Sequence, residues 1–279
     1  MTRTTPANCF SVDLEEWYHI GFARDRYPRC GWEHLPSRVE WGTERLLGLC
    51  GRHGVKATFF VLGQVASRFP AVVRRIADRG HRLGCHGMWH ERVCDMTQQR
   101  FREDLKEARD RIAQAAGAEV VAFRAPEFSV RESTTWFMET LAQEGILFDS
   151  SLLPVVRSAG GIAGTPLTPH EVSTPAGIVR EFPPTVLALP GLRLPIFGGG
   201  YFRLSPAAVT LAAARWLNRA GRPVMFFVHP HDLDPGQPRT LSGPVERFRR
   251  YHGVAATEAK LDRVLSAFSF KDLAEFFSG

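Results

Sequence analysis

Along this chain a helical pattern of apolar positions runs to a glycine, and a short apolar run follows at once. The join occurs five times: Gly54 before KATFFVL, Gly80 before HRLGC, Gly117 before EVVAFR, Gly145 before ILFDSS and Gly221 before PVMFFVH. Glycine just past a helix end accepts φ > 0 without a Cβ clash. Short runs that are apolar throughout read as strands buried on both faces. Thr97 is placed to cap TQQRFREDLKEARDRIAQAAG, whose Phe101, Leu105, Ala108, Ile112 and Ala115 share one face. Ser205 and Pro206 read as an N-cap with proline at the first helical position, and Ser133 as the opening of TTWFMETLAQEG. TEAKLDRVLSAF is a last long helix before a short one ending at Phe277. Strand and helix thus alternate from Asn8 to Pro230, which predicts an α/β fold with a parallel sheet, open or closed into a barrel. The stretch Arg157 to Pro166, RSAGGIAGTP, reads as a mobile loop. No linker stands out, so a single domain is expected.

Composition narrows the class. The chain has 279 residues, 44% hydrophobic and 23% charged, a globular balance. No apolar run is long enough to cross a bilayer, and MTRTTPANCFSVD has no apolar signal region. The net charge is +6, carried by 35 basic residues of which only Lys56, Lys106, Lys260 and Lys271 are lysines. The arginines are scattered, which reads as a solvated surface rather than a nucleic-acid face. The cysteines Cys9, Cys30, Cys50, Cys85 and Cys94 are odd in number and form no CxxC, which fits a reducing cytoplasm.

In parallel α/β folds the chemistry collects at the carboxyl ends of the strands. The first run closes with Asp13 and Glu15, the third with His86, the fourth with Arg124, the fifth with Asp149 and the last with His229; the second ends in an uninformative Gly63-Gln64. After the first strand comes SVDLEEWYH, with neither GxGxxG nor GxxxxGKS, which argues against dinucleotides and nucleoside triphosphates. Asp13 and Glu15 are two apart, so on a strand both point to one side and Leu14 to the other. Such a pair can serve as metal ligand and general base. In HGMWH, His86 and His90 are four apart, so on a helical turn both could reach one metal ion. Cys94, four further on, makes a rival set with them. His229, ahead of Pro230-His231-Asp232, is a candidate general acid, with His231 as competitor.

The ordered set SVDLE, ATFFVLG, HGMWH, FRAPEF, FDSS and FFVHPHDLDP resembles the polysaccharide deacetylases of carbohydrate esterase family four. With GGGYFR at Gly198 to Arg203 and HPHDLDPGQPR at His229 to Arg239, the closer likeness is to the subgroup encoded in exopolysaccharide (exosortase, PEP-CTERM) loci. The resemblance implies a distorted, incomplete (β/α) barrel of about seven parallel strands. It would place the core at residues 8–232 and a C-terminal helical extension at 233–279. It implies a metal-dependent hydrolase that removes an N-acetyl group from an amino sugar in a polysaccharide or its lipid-linked precursor. A deformylase or small-molecule amidase, or a non-catalytic carbohydrate-binding protein, are the alternatives. One divalent ion is expected, zinc before cobalt, nickel or iron.

By motif position His86 and His90 would be metal ligands, Asp13 the base held by Arg124, and His229 the acid oriented by Asp149. The Glu127 N–H would help bind the oxyanion. The family's second acid is replaced by Leu14, which points to Glu15 as third ligand, with Asp13 as the alternative. His231 and Asp232 stand where the subgroup has tryptophan and glutamate. Gly198 to Phe202 would line the substrate groove, with Tyr201 or Phe202 stacking on a sugar face. The expected location is the cytoplasm or the inner membrane surface, with no nucleic-acid partner.

Overall fold

A computed structural model describes residues 6–24, 26–239 and 243–278. Residues 1–5, part of the stretch read above as lacking a signal region, lie outside the described residues. The chain opens with β1 (Asn8–Leu14), a short α1 (Gly21–Arg24) and α2 (Val39–His53). Then come β2 (Thr58–Val61), α3 (Gly63–Arg68), α4 (Pro70–Asp78), β3 (Arg82–Cys85), α5 (Gln98–Ala116) and β4 (Ala122–Phe123). They are followed by α6 (Phe137–Gln143), β5 (Phe148–Asp149) and two hairpins, β6 (His170–Thr174) with β7 (Gly177–Glu181) and β8 (Leu187–Leu189) with β9 (Leu192–Leu194). The chain continues through α7 (Gly199–Leu204), α8 (Ala207–Arg219), β10 (Met225–Val228), α9 (Pro244–Tyr251), α10 (Val254–Ala267), β11 (Phe270–Lys271) and α11 (Leu273–Ser278).

The sheet runs β10-β1-β2-β3-β4-β5-β7-β6. The pairs from β10 through to β7 are all parallel, and only β6 joins antiparallel. Seven parallel strands in this path match the expected incomplete barrel. The sheet does not close: the side of β10 away from β1 meets Phe197 and Gly198, through Phe227 N–H to Phe197 O (3.2 Å). Thr185 Oγ1 accepts the Met225 N–H at 2.9 Å on the same strand.

All five helix-ending glycines take the left-handed conformation, at φ 62, 74, 70, 75 and 76° for Gly54, Gly80, Gly117, Gly145 and Gly221. Thr97 caps α5 by accepting the Arg100 N–H at 3.2 Å, and Phe101, Leu105, Ala108 and Ile112 on its inner face are fully buried. Other boundaries moved. Pro206, not Ser205, is the residue before α8, because Ser205 ends α7 and its hydroxyl accepts from Thr210. α6 starts at Phe137, since Thr134 Oγ1 takes the Arg131 N–H and forms a turn there first. The Arg157 to Pro166 segment is pinned rather than loose. Gly161 N–H donates to Val130 O, and a Cβ on Gly160 would lie 2.5 Å from Phe128 O. The C-terminal extension is not purely helical: β11 pairs with Asn8 and Cys9, ahead of the Ser11–Leu14 stretch that pairs with β2. Among the described residues no helix is long and apolar enough to cross a membrane.

Candidate active site

Four strand ends deliver the polar centre. β1 carries Asp13 and Glu15 past its end with Leu14 buried between them, and Glu15 N–H turns back on Asp13 O at 3.1 Å. Asp13 accepts from Arg124 Nη1 at 2.7 Å. Arg124 is fully buried, and it also donates through Nη2 to Ser150 Oγ (2.8 Å) and through Nε to Ser150 O (3.2 Å). Its guanidinium lies 4.2 Å from the Phe60 ring centre. A buried cation with this many partners is held in one place, and so is the carboxylate it faces.

Glu15, His86 and His90 form a buried group whose ligand atoms all lie within 4.8 Å of one another. His90 Nε2 is 2.6 Å from Glu15 Oε2. Burial alone would raise the Glu15 carboxyl, but the charge and hydrogen bond of His90, with His229 and His231 beside it, hold it well below the ordinary range. His86 Nδ1 is 2.8 Å from Arg124 O, so Nδ1 carries the proton and Nε2 keeps its lone pair. Burial lowers His86 to about 4, leaving it neutral and fit to bind a cation. Two imidazoles and an ionised carboxylate, all buried and converging, fit a divalent metal ion.

The two histidines are not on a helical turn, as their spacing suggested. HGMWH is a loop that reverses through left-handed Gly87 (φ 77°) and His90 (φ 57°). A non-glycine residue at positive φ is strained. The loop is fixed by Met88 N–H to Asp104 Oδ2 (2.9 Å) and by Gly63 and Gln64 donating to Gly87 O and Met88 O. Cys94 is outside the group; its Sγ faces Asp95 and Ala159 O.

β10 brings His229, whose Nε2 lies 3.8 Å from both Asp13 Oδ2 and Glu15 Oε1. Its Nδ1 is held by Asp232 Oδ2 at 2.7 Å, and Asp232 Oδ1 accepts from Arg203 Nε at 2.6 Å. Burial would lower His229, but the Asp232 charge and hydrogen bond, helped by Glu15 and Asp13, raise it to about 9. The expectation that Asp149 orients His229 is therefore corrected to Asp232. Asp149 accepts instead from Ser151 Oγ (2.6 Å) and shares a buried hydrogen bond with Glu181. Both carboxyls are raised by burial, and the charge of Asp149 adds to the rise at Glu181. Ser151 Oγ in turn takes the Ala125 N–H at 2.8 Å, so Asp149 locks the β4 and β5 ends that seat Arg124.

Phe202 is corrected as well. Its ring is fully buried, under the Lys260 ammonium at 4.1 Å, and it is a core residue; Tyr201 is 43% exposed. The glycines beside them make room for the site's own side chains. A Cβ on Gly198 would sit 2.0 Å from the Phe227 ring, and one on Gly199 3.2 Å from His229 Cε1. Glu127 lies in a turn where it and Phe128 have φ 56° and 52°, and its carbonyl accepts from Arg157 at 3.1 Å.

Sequence reasoning missed Arg203 and His19, and gave Asp232 no role. Asp232 was readable as an acid three residues after His229 with proline between, a capping-box spacing, and the box is present. His19 accepts the Glu16 N–H on Nδ1 (3.0 Å), lies parallel to His90 at 6.4 Å, and its buried Nε2 has no hydrogen-bond partner among the described residues. No spacing in the sequence signals it.

Residues 33–145 match the family model Polysaccharide deacetylase, and residues 150–278 match a Domain of unknown function (DUF3473). The chain is 27% identical over 147 residues to a peptidoglycan-N-acetylglucosamine deacetylase of Bacillus cereus, covering 48% of this chain and 52% of that one. It is 34% identical over 73 residues to a chitooligosaccharide deacetylase of Rhizobium leguminosarum, covering 26% and 34%. The chain thus spans about half, or less, of the length of these curated relatives. A crystal structure of a Mycobacterium smegmatis protein assigned to the polysaccharide deacetylases superimposes with a TM-score of 0.65 at 20% identity, covering 98% and 89% of the two chains. At that identity the likeness speaks for the fold, the same curled parallel α/β sheet. The family model over residues 33–145 and the two sequence relatives are thus polysaccharide, peptidoglycan and chitooligosaccharide deacetylases, to which this chain is similar, and its fold is the one seen in the Mycobacterium structure.

Proposed function

We propose that this protein is a metal-dependent hydrolase that removes an N-acetyl group from an amino sugar in a polysaccharide or its lipid-linked precursor. The observation that carries the reading is the convergence of a cation-binding triad, Glu15, His86 and His90, with the Asp13–Arg124 and His229–Asp232 pairs. The relatives' names, peptidoglycan and chitooligosaccharide deacetylase, supply the substrate class.

An N-acetyl amide resists water because its carbonyl is a poor electrophile and its amine a poor leaving group. A divalent ion on Glu15, His86 and His90 would supply Lewis-acid polarisation of the carbonyl and a more acidic water. Asp13 takes the proton of the attacking water, its other oxygen being held by Arg124. His229 is cationic near neutrality and delivers a proton from Nε2 to the departing nitrogen, while Asp232 holds Nδ1. The Glu127 N–H is assigned to the developing oxyanion, a contribution of roughly 3–4 kcal/mol per donor. Tyr201, exposed and two residues after Gly199, where an added Cβ would meet His229, is assigned to an apolar sugar face. We assign the exopolysaccharide role and the cytoplasm or inner membrane surface as its setting from the GGGYFR and HPHDLDPGQPR segments.

The test is elemental analysis of the purified protein followed by mass spectrometry of N-acyl sugars incubated with it. Loss of acetyl supports the proposal. Loss of formyl alone makes it a deformylase, and absence of both metal and turnover makes it a binding protein.

A further inference from the structure

Glu15 has a second side. Its Oε2 faces His90, while Oε1 lies 3.8 Å from His229 Nε2 and 4.0 Å from His231 Nδ1. Glu15, His229 and His231 thus make another group whose ligand atoms lie within 4.8 Å of one another. His231 is the residue that the proposed reaction leaves unused. Its side chain is 8% exposed, and its Nδ1 has no hydrogen-bond partner among the described residues. A buried polar atom left without a partner costs about 1–3 kcal/mol, so its retention calls for a ligand that the protein itself does not supply. The ring is held in place by stacking on His229 at 4.8 Å and 13°, and the His231 carbonyl accepts from Gln237 at 2.8 Å. His229 has the support expected of a metal-bound imidazole, its far nitrogen on Asp232, which Arg203 anchors.

We propose that Glu15, His229 and His231 form a second divalent-cation site that shares Glu15 with the first, and that filling it removes His229 from proton transfer. A carboxylate with one oxygen toward each group can bridge two ions, as in two-metal centres. Two imidazoles and one carboxylate select a zinc-, cobalt- or nickel-type ion over magnesium or calcium. The second ion binds more weakly, because the first already takes up part of the Glu15 charge and the two cations repel across the shared carboxylate. Once Nε2 binds a cation it has no proton to give, so excess metal inhibits. That inhibitory consequence rests on the function proposed above; the site itself does not.

Metal-free protein is titrated with zinc by calorimetry, with dialysis and elemental analysis giving the stoichiometry. Two ions per chain are expected for the wild type and one for His231→Phe, which keeps an aromatic wall but removes the ligand. Asp232→Asn should weaken the second ion by roughly 10–100-fold, as loss of an outer partner does. A wild type that saturates at one ion, or a His231→Phe variant that still binds two, overturns the site. If His231→Phe proves unfolded by circular dichroism, His231→Gln makes the same comparison. In turnover, activity should rise to one equivalent of zinc and fall as the second binds, with no fall in His231→Phe. Two bound ions without inhibition overturn the second half of the proposal. Absence of all turnover instead sinks the proposed reaction, and the stoichiometry still decides the site.

Discussion

Replacing Asp232 with asparagine tests the proton-donor assignment most directly. In the wild type His229 rises from 6.5 to about 9 against the pull of burial, with Asp232 the largest of the acids that raise it. At about 1.4 kcal/mol per pH unit, this corresponds to roughly 3 kcal/mol in favour of the imidazolium. Because the folded value is the raised one, this stabilisation is complete below 6.5 and is lost as pH climbs toward 9. Asparagine can still accept the Nδ1 proton, so the ring keeps its orientation and loses the charge. Arg203 loses its carboxylate but keeps the Arg249 and His252 carbonyls at 2.9 Å, which should leave the fold intact with a lower melting temperature. The assay is kcat/KM against pH on enzyme carrying one equivalent of metal, alongside an NMR titration of the His229 ring. A cation on Glu15 withdraws part of that residue's share, so the wild-type alkaline limb should lie below 9. The readout is therefore the direction of movement: Asp232→Asn should bring the limb back toward neutrality, and Asp149→Asn should leave it in place. An unmoved limb in Asp232→Asn, or an equal move in Asp149→Asn, would refute the reasoning.

Four further outcomes are expected. His86→Ala and His90→Ala should each lose the tightly bound metal to a mild chelator while keeping a folded circular dichroism spectrum, and Cys94→Ser should retain it, as elemental analysis will show. Asp13→Asn should keep the metal and lose most turnover, on the order of 100-fold or more for a missing general base, and single-turnover kinetics separates this from a binding defect. Phe202→Ala should cost about 3–5 kcal/mol of stability in denaturant melts, whereas Tyr201→Ala should raise KM with little change in melting. Gly198→Ala places a Cβ 2.0 Å from the Phe227 ring; the forced displacement should lower both melting temperature and activity, and unchanged values would show that the β10 edge yields.

Much of the framework is written locally. Each helix-ending glycine, the Thr97 cap and the short apolar runs depend on φ preference, a reachable hydroxyl and burial on both faces, all carried by a few adjacent residues. Those signals placed the parallel strands and, through the strand ends, Asp13, Glu15, His86, Arg124 and His229. Partner choice is different, because it depends on where one strand end meets another. Asp149 ends its strand as the family pattern requires, yet Glu181 from β7 and Ser151 claim its carboxylate, and Asp232, on the turn after β10, is nearer to His229. The Gly198 to Phe202 segment reads as the lining of a substrate groove only until Phe227 and His229 are seen filling the space its missing side chains leave. The reversal that turns His90 back onto His86 needs positive φ at a histidine, a conformation no local preference favours. The loop contacts of Gly63, Gln64 and Asp104, drawn from two separate helices, hold it there, so only the assembled tertiary structure could decide it.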